Sequence, residues 1–396
     1  MRCIADIASA RIPGLVSLVL GGSFARGEGT FIRQAAGWEP YKDYDLFAVV
    51  DNGSLRKAAH AVDEVRQAAY EALGYPPYDE EKPSPGRFHI GLAVMSVNTL
   101  ARLPHDLANV ELKLTGQVVW GHNLLERIPA DPTQIPPESG LRPVLNKLIG
   151  LVEQWGPWVD SAALPPQEIL QSIAYDRAKA TLDLVAALLL LRGQWTPGYA
   201  ARNLTLSIAE ENGPLLQGIG ALSQRADAAL VFKLNPAGPD PSEGAALWCC
   251  ARDEALAFTE PLAASVLAYL PGSPLDGAQR LARHARGKFL RPFADQGLRQ
   301  RGIPLRRVLA PALVSIYQVV ENLRLGSIRR THPLIRAWAA AWAWLAATQE
   351  PSHAAALHAW ARGTVGSSRG DPDGLRDDIV RLFKASSTAR RRKRSL

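Results

Sequence analysis

The stretch that most constrains the fold is an apolar run, Leu15 to Leu20, which opens into Gly21-Gly22-Ser23. After nineteen intervening residues it is answered by Asp43-Tyr44-Asp45 at the head of a second apolar run, Leu46 to Val50. Short apolar runs bounded by turn residues read as buried strands. Adjacent glycines let main-chain N–H groups approach a phosphate, and a serine adds a hydroxyl donor. Asp43 and Asp45 stand at i and i+2 on the second strand, so alternation points both carboxylates to one face. Two acids on one face beside such a turn suit a divalent cation that carries a nucleoside triphosphate.

The neighbouring segments extend the pattern. Ile4 to Ile12 reads as a short helix ended by Pro13 and Gly14. Phe31 to Lys42, with Gly37, Trp38 and Pro40, reads as a loop inserted at the mouth of the turn. Trp38 there is either a packing anchor or a platform for a base. Leu55 to Leu73 is predicted as a helix, with Ser54 as its cap and Gly74 as its stop. Tyr75 to Gly86, rich in proline and acid, reads as irregular, and Arg87 to Ser96 as the next strand. A helix, a turn at Gly116 and a short strand ending at Gly121 follow.

A glycine-serine turn followed by an acid-x-acid strand resembles the nucleotidyltransferase superfamily with the polymerase-β-like fold. Gly22 and Ser23 match the first half, Asp43 and Asp45 the second, and Ala25-Arg26-Gly27 is similar to the sequel in minimal members. The resemblance covers about the first third of the chain. It implies an α+β fold in which a small mixed sheet carries the acids on the middle strand of a strand–helix–strand unit, with an all-α region behind it. It also implies that Gly22 and Ser23 hold the β- and γ-phosphates, that Arg26 neutralises them, and that Asp43 and Asp45 hold Mg2+ or Mn2+. The activity implied is transfer of a nucleoside monophosphate from a nucleoside triphosphate, such as ATP, to an acceptor. The acceptor is left open among a small molecule, an RNA and a protein. Full catalytic sites of this kind add a third carboxylate on the last strand, where this chain offers His89 or Gly91. His89 is either structural or a substitute base, and Asp79, Glu80 and Glu81 lie in the preceding loop. The alternative is a degenerate nucleotidyltransferase fold that acts as a nucleotide- or RNA-binding or partner module.

Composition narrows the setting. The 396 residues are 47% hydrophobic, which suits two or three domains and excludes global disorder. Neither Ala180 to Leu191 nor Ala337 to Ala347 is long enough to span a bilayer, and no secretory signal is expected in Met1 to Pro13. Only Cys3, Cys249 and Cys250 are present and no zinc spacing occurs, so a reducing cytoplasm is expected. The net charge of +7 is uneven. Arg280 to Arg307 holds nine Lys or Arg against Asp295 alone, and Arg390 to Arg394 adds five more. The first is a candidate nucleic-acid contact, and the second a basic tail from 390 to 396.

The domains read as 1–130, a proline-rich linker over 131–143, and a helical acceptor or partner region over 144–389 with a break near 231–244 or 271–305. Gln167 to Arg192 is the best helix, and along it Ser172, Asp176, Lys179 and Asp183 form a polar stripe. Two readings stand. The stripe is a solvated face with intrahelical ion pairs, or it faces the cleft and Lys179 contacts the triphosphate, as the resemblance implies. Trp195 to Arg202 reads as a turn, and 231–244 as a Pro/Gly loop. Further helices are expected at Ala245–Leu270, Gly277–Lys288, Leu305–Leu325, Pro333–Thr348, His353–Arg362 and Asp371–Ser386. Trp338, Trp342 and Trp344 read as core or a helix–helix seam rather than a ligand cage.

Overall fold

The computed structural model describes residues 1–34, 37–76, 88–211, 221–268, 275–282 and 332–394. Strands β1 (Leu15–Gly21), β4 (Asp43–Val50), β5 (His89–Ser96) and β6 (Gln117–Gly121) form a four-stranded mixed sheet in the order β5-β4-β1-β6. β4 runs parallel to β5, while β1 is antiparallel to both β4 and β6. The chain is therefore α+β, a small sheet followed by a helical C-terminal region.

The two faces of the sheet belong to different cores. Leu18, Leu20, Leu46, Ala48, Val50, Ile90 and Leu92 pack under helices α1 (Arg2–Arg11) and α3 (Leu55–Leu73). α3 stops where Gly74 turns left-handed and the Tyr75 N–H bonds the Tyr70 carbonyl, a closure that glycine permits without strain. The opposite face, carrying Val19, Phe47 and Val49, joins a core shared with the helical region. Asp43 and Asp45 share the parity of Phe47 and Val49, so alternation turns them toward the helices.

That shared core runs through the proline-rich segment. Ile128, Ala130 and Ile135 are buried in it, Pro132–Gln134 forms one tight turn, and helix α6 (Glu138–Gln154) begins inside the expected linker with Pro143 in its interior. Prolines mark the path of that segment, but its apolar residues anchor it. α6 packs on α7 (Gln167–Leu191) and on α10 (Gly244–Leu267). The helix Pro333–Gln349 is apolar nearly all round and lies buried, as such a helix must. Trp338 and Trp344 are core residues, and their indole N–H groups donate to Asn146 Oδ1 and the Pro372 carbonyl.

Several segments differ from the sequence reading. The expected loop after Thr30 is a hairpin, β2 (Thr30–Gln34) with β3 (Gly37–Tyr41), because alternating residues give it one face to bury. Thr30 and Tyr41 dock on Tyr175 of α7, while Phe31, Arg33 and Trp38 remain exposed, Trp38 by 59%. The turn expected through Arg202 closes early, into α8 (Tyr199–Glu211). Helix α9 (Leu222–Leu234) enters the segment read as a loop. The helix Pro372–Arg394 extends into the basic tail. Asp79 to Glu81, the expected helix Leu305–Leu325 and nearly all of Arg280–Arg307 lie outside the described residues. Among the described residues, no helix is long and apolar enough to cross a membrane.

Candidate functional site

The turn and the acid strand meet edge to edge. Gly21 pairs with Asp45 across β1 and β4, and Gly22 then adopts φ +66°. A Cβ on Gly22 would lie 2.2 Å from Asp45 Oδ2, so only glycine lets the turn lie against that carboxylate. Gly22–Ala25 makes a single helical turn, α2. The Ser23 hydroxyl takes no hydrogen-bond partner among the described residues, leaving it open to a ligand.

On the other side, β5 supplies the neighbours of the acids. Asp43 pairs with His89 and Asp45 with Gly91, and His89 Nδ1 is 3.6 Å from Asp43 Oδ1. Both residues weighed as occupants of the third acidic position therefore face the site, and neither is acidic. The Asp43 side chain is 55% exposed, open to the cleft. Burial pushes the Asp43 carboxyl up, but His89, Lys42 and Lys179 more than offset this and hold it below its usual range. Asp45 is pushed up by burial and by the like charge of Asp43, with Lys179, His89 and Arg26 opposing. Two carboxylates this close resist being ionised together. A hard divalent cation relieves that repulsion, so the donor set fits Mg2+ or Mn2+ held by Asp43 and Asp45. Among the described residues no cluster of three or more His, Cys, Asp or Glu would hold a metal alone. Mg2+ in such sites takes one or two carboxylates and completes its shell with phosphate and water.

α7 faces this edge. Its polar stripe points inward: Gln154 donates to Ser172 Oγ at 3.0 Å and to Asp176 at 2.7 Å, and Lys147 pairs with Asp176 at 2.7 Å. The intrahelical pairing of Asp176 with Lys179 does not form. Lys179 instead lies among Tyr199, Asp183, Tyr175 and Asp45, which hold its ammonium well above its ordinary range despite burial. It makes no hydrogen bond or close ion pair among the described residues.

Arg26 also lies on the Asp45 side, but its guanidinium is already engaged. Nε donates to Glu28 at 2.9 Å and Nη1 to Glu111 at 3.2 Å, it sits 5.0 Å from the Tyr199 ring centroid, and its side chain is 6% exposed. The same knot extends into the helical region. Glu28 accepts from the Tyr199 and Ala200 N–H groups at the start of α8, Arg202 pairs with Glu111, and the buried Lys233 donates to the Glu28 carbonyl. Sequence reasoning did not identify Glu28, Glu111, Arg202 or Lys233, which no local spacing connects. It also passed over Lys42, whose place directly before Asp43 was the available signal.

Compared with protein-family models, curated proteins and solved structures, the chain matches none.

Proposed function

We propose that the cleft between β4 and α7 binds a metal–nucleoside triphosphate and transfers its nucleoside monophosphate to an acceptor, as a nucleotidyltransferase of the polymerase-β-like kind. The observation that carries this reading is the close approach of the Gly22 turn to Asp45, which would set a phosphate beside a metal held by the acid pair. Support comes also from the order strand, helix, strand with the acids on the middle strand, and from the charge of Lys179 acting on Asp45. Ser23 and the turn amides would take the β- and γ-phosphates and Lys179 would add charge, while Asp43 and Asp45 would hold Mg2+. The metal, when bound, supplies charge neutralisation at the phosphates. An acceptor oxygen attacks the α-phosphorus, the bond to the bridging oxygen breaks, and pyrophosphate leaves. The chain's part is positioning. Arg26 holds the α2 turn against α8 through Glu28 and Glu111 and supports the seat from behind.

Gly91 opposite Asp45 favours a second reading, nucleotide binding without transfer. Titration calorimetry with Mg–nucleoside triphosphates, on the native chain and on Asp43→Asn/Asp45→Asn, tests the binding. Metal-dependent affinity lost in the double variant is expected; affinity unchanged by it sinks both readings. Incubation with α-labelled triphosphates and cell extract then separates them, since label appearing in an acceptor fraction requires transfer.

A further inference from the structure

Lys233 comes to the site from far along the chain, and the transfer chemistry leaves it unused. It lies near the end of α9, is 0% exposed, and its side-chain nitrogen donates to the Glu28 backbone carbonyl. The Glu28 N–H in turn donates to the Ser23 carbonyl at 2.9 Å. Two hydrogen bonds and one residue therefore join Lys233 to the Ser23 turn, a span of about 10 Å. The surroundings are mostly cationic. The Tyr199 ring at the start of α8 carries Lys233 at 5.3 Å, Arg26 at 5.0 Å and Arg202 at 5.4 Å from its centroid, and Lys179 of α7 acts on the same tyrosine. Glu28 opposes these charges at Lys233, but its carboxylate is already shared among Arg26 and the Tyr199 and Ala200 N–H groups. An amine out of water, bonded to a neutral carbonyl and flanked by cations, favours its uncharged form. Burial first and Lys179 next push it down to about 7, against Glu28.

Resting on the reading that the Ser23 turn and Lys179 take the donor's phosphates, we infer that Lys233 is a proton site coupled to that seat, uncharged above neutral pH while the seat is empty and protonated when a polyphosphate fills it. The anion offsets the repulsion from Lys179 and Arg26 that keeps the amine neutral. At about 10 Å, each net negative charge that the ligand brings favours the ammonium roughly ten-fold. The proton comes from the buffer and only an N–H bond forms. Nucleotide and proton then bind together, so each tightens the other.

The test is titration calorimetry on the full chain at about pH 8, with Mg2+ and α,β-methylene-ATP, which cannot release its nucleoside monophosphate. Buffers of differing ionisation enthalpy make the heat report the protons exchanged. For about one or two net negative charges on the ligand, the native chain is expected to take up roughly 0.4–0.8 of a proton per ligand bound. Its affinity should fall about five- to forty-fold from pH 7 to pH 9. Lys233→Arg is always charged and Lys233→Met never is, so each should take up less than about 0.1 of a proton and show a nearly flat affinity over that range. Methionine replaces an uncharged amine of similar length, so that variant should fold at pH 8 as the native chain does. Binding to the native chain without proton uptake overturns the inference and leaves nucleotide binding intact. Uptake that persists in both variants assigns the proton to another group and overturns it as well. A native chain that binds no analogue at any of these pH values sinks the nucleotide reading itself, and the inference with it.

Discussion

Gly22 and Gly27 offer a paired substitution that separates backbone strain from damage to the site. Both are left-handed, at φ +66° and +71°. Alanine at either position incurs the left-handed penalty of about 1–2 kcal/mol. At Gly27 a Cβ meets nothing within 4 Å; at Gly22 it lies 2.2 Å from Asp45 Oδ2 and 3.1 Å from Asp45 Cγ. Relief there requires the carboxylate to swing away by about 1 Å to restore ordinary van der Waals spacing. The clashing atom ends a short, cleft-facing side chain, so rotation removes the overlap with little further cost in stability. Urea unfolding should therefore give Gly22→Ala and Gly27→Ala similar losses, each about 1–2 kcal/mol. Binding should diverge. On the proposed function Asp45 holds the metal and Gly22 sets its carboxylate, and loss of a group that orients a metal ligand costs roughly 10–100-fold in affinity, so calorimetry should show Mg–triphosphate affinity collapsing in Gly22→Ala and nearly native in Gly27→Ala. Equal affinities in the two variants would refute the argument, because the contact between Gly22 and Asp45 would then have no part in the ligand site.

Two titrations follow from buried groups. Burial raises the Asp176 carboxyl, but Lys147, Lys42 and Gln154 more than offset it and hold it at about 2. The unfolded state therefore takes up the proton first, and this part of the stability, present above pH ~4, is lost as pH falls toward ~2. The Asp176 and Lys147 side chains are each 17% exposed, so Lys147→Met should cost about 3–5 kcal/mol at neutral pH and flatten that acid slope in urea unfolding. Lys233 is lowered to about 7, by burial first and by Lys179 next. Native stability should rise with pH from about 7 to about 10, where the unfolded lysine still holds the proton and the folded one does not. Urea unfolding at pH 7 and pH 9.5 should show that rise in the native chain and much less of it in Lys233→Met; parallel curves would mean that the lysine stays charged in the fold.

Much of the sheet was legible from residues close in sequence. Alternation put Asp43 and Asp45 on one face, the Gly21-Gly22-Ser23 turn stood at the end of its strand, and Leu55 to Leu73 carried both its period and its stop at Gly74. The tryptophan-rich helix announced its burial by its tryptophans in an alanine-rich, nearly all-apolar stretch. Each of these is a local preference of backbone and side chain, written in neighbours a few positions apart. The hairpin after Thr30 escaped because its buried partner, Tyr175, lies far along the chain. The proline-rich segment looked like a linker because proline reports local conformation and says nothing of whether Ile128 and Ile135 find a core.

The site itself divides the same way. Sequence alone singled out Gly22, Ser23, Asp43 and Asp45 as candidates and put them next to one another, because their spacing follows from strand and turn geometry. Only the tertiary structure decided what they face. The polar stripe of α7 had two readings until packing set Lys179 among Tyr199, Asp183, Tyr175 and Asp45 and gave Asp176 to Lys147. Arg26 looked available for phosphate until Glu28, Glu111 and the start of α8 closed around it. Lys42 was an ordinary lysine before an acid until its backbone went left-handed and its ammonium lodged between two tyrosines, in reach of the charges of both Asp176 and Asp43. Pairings across so many residues are set by which apolar faces bury together, and that is a property of the whole packed chain rather than of any short stretch of it.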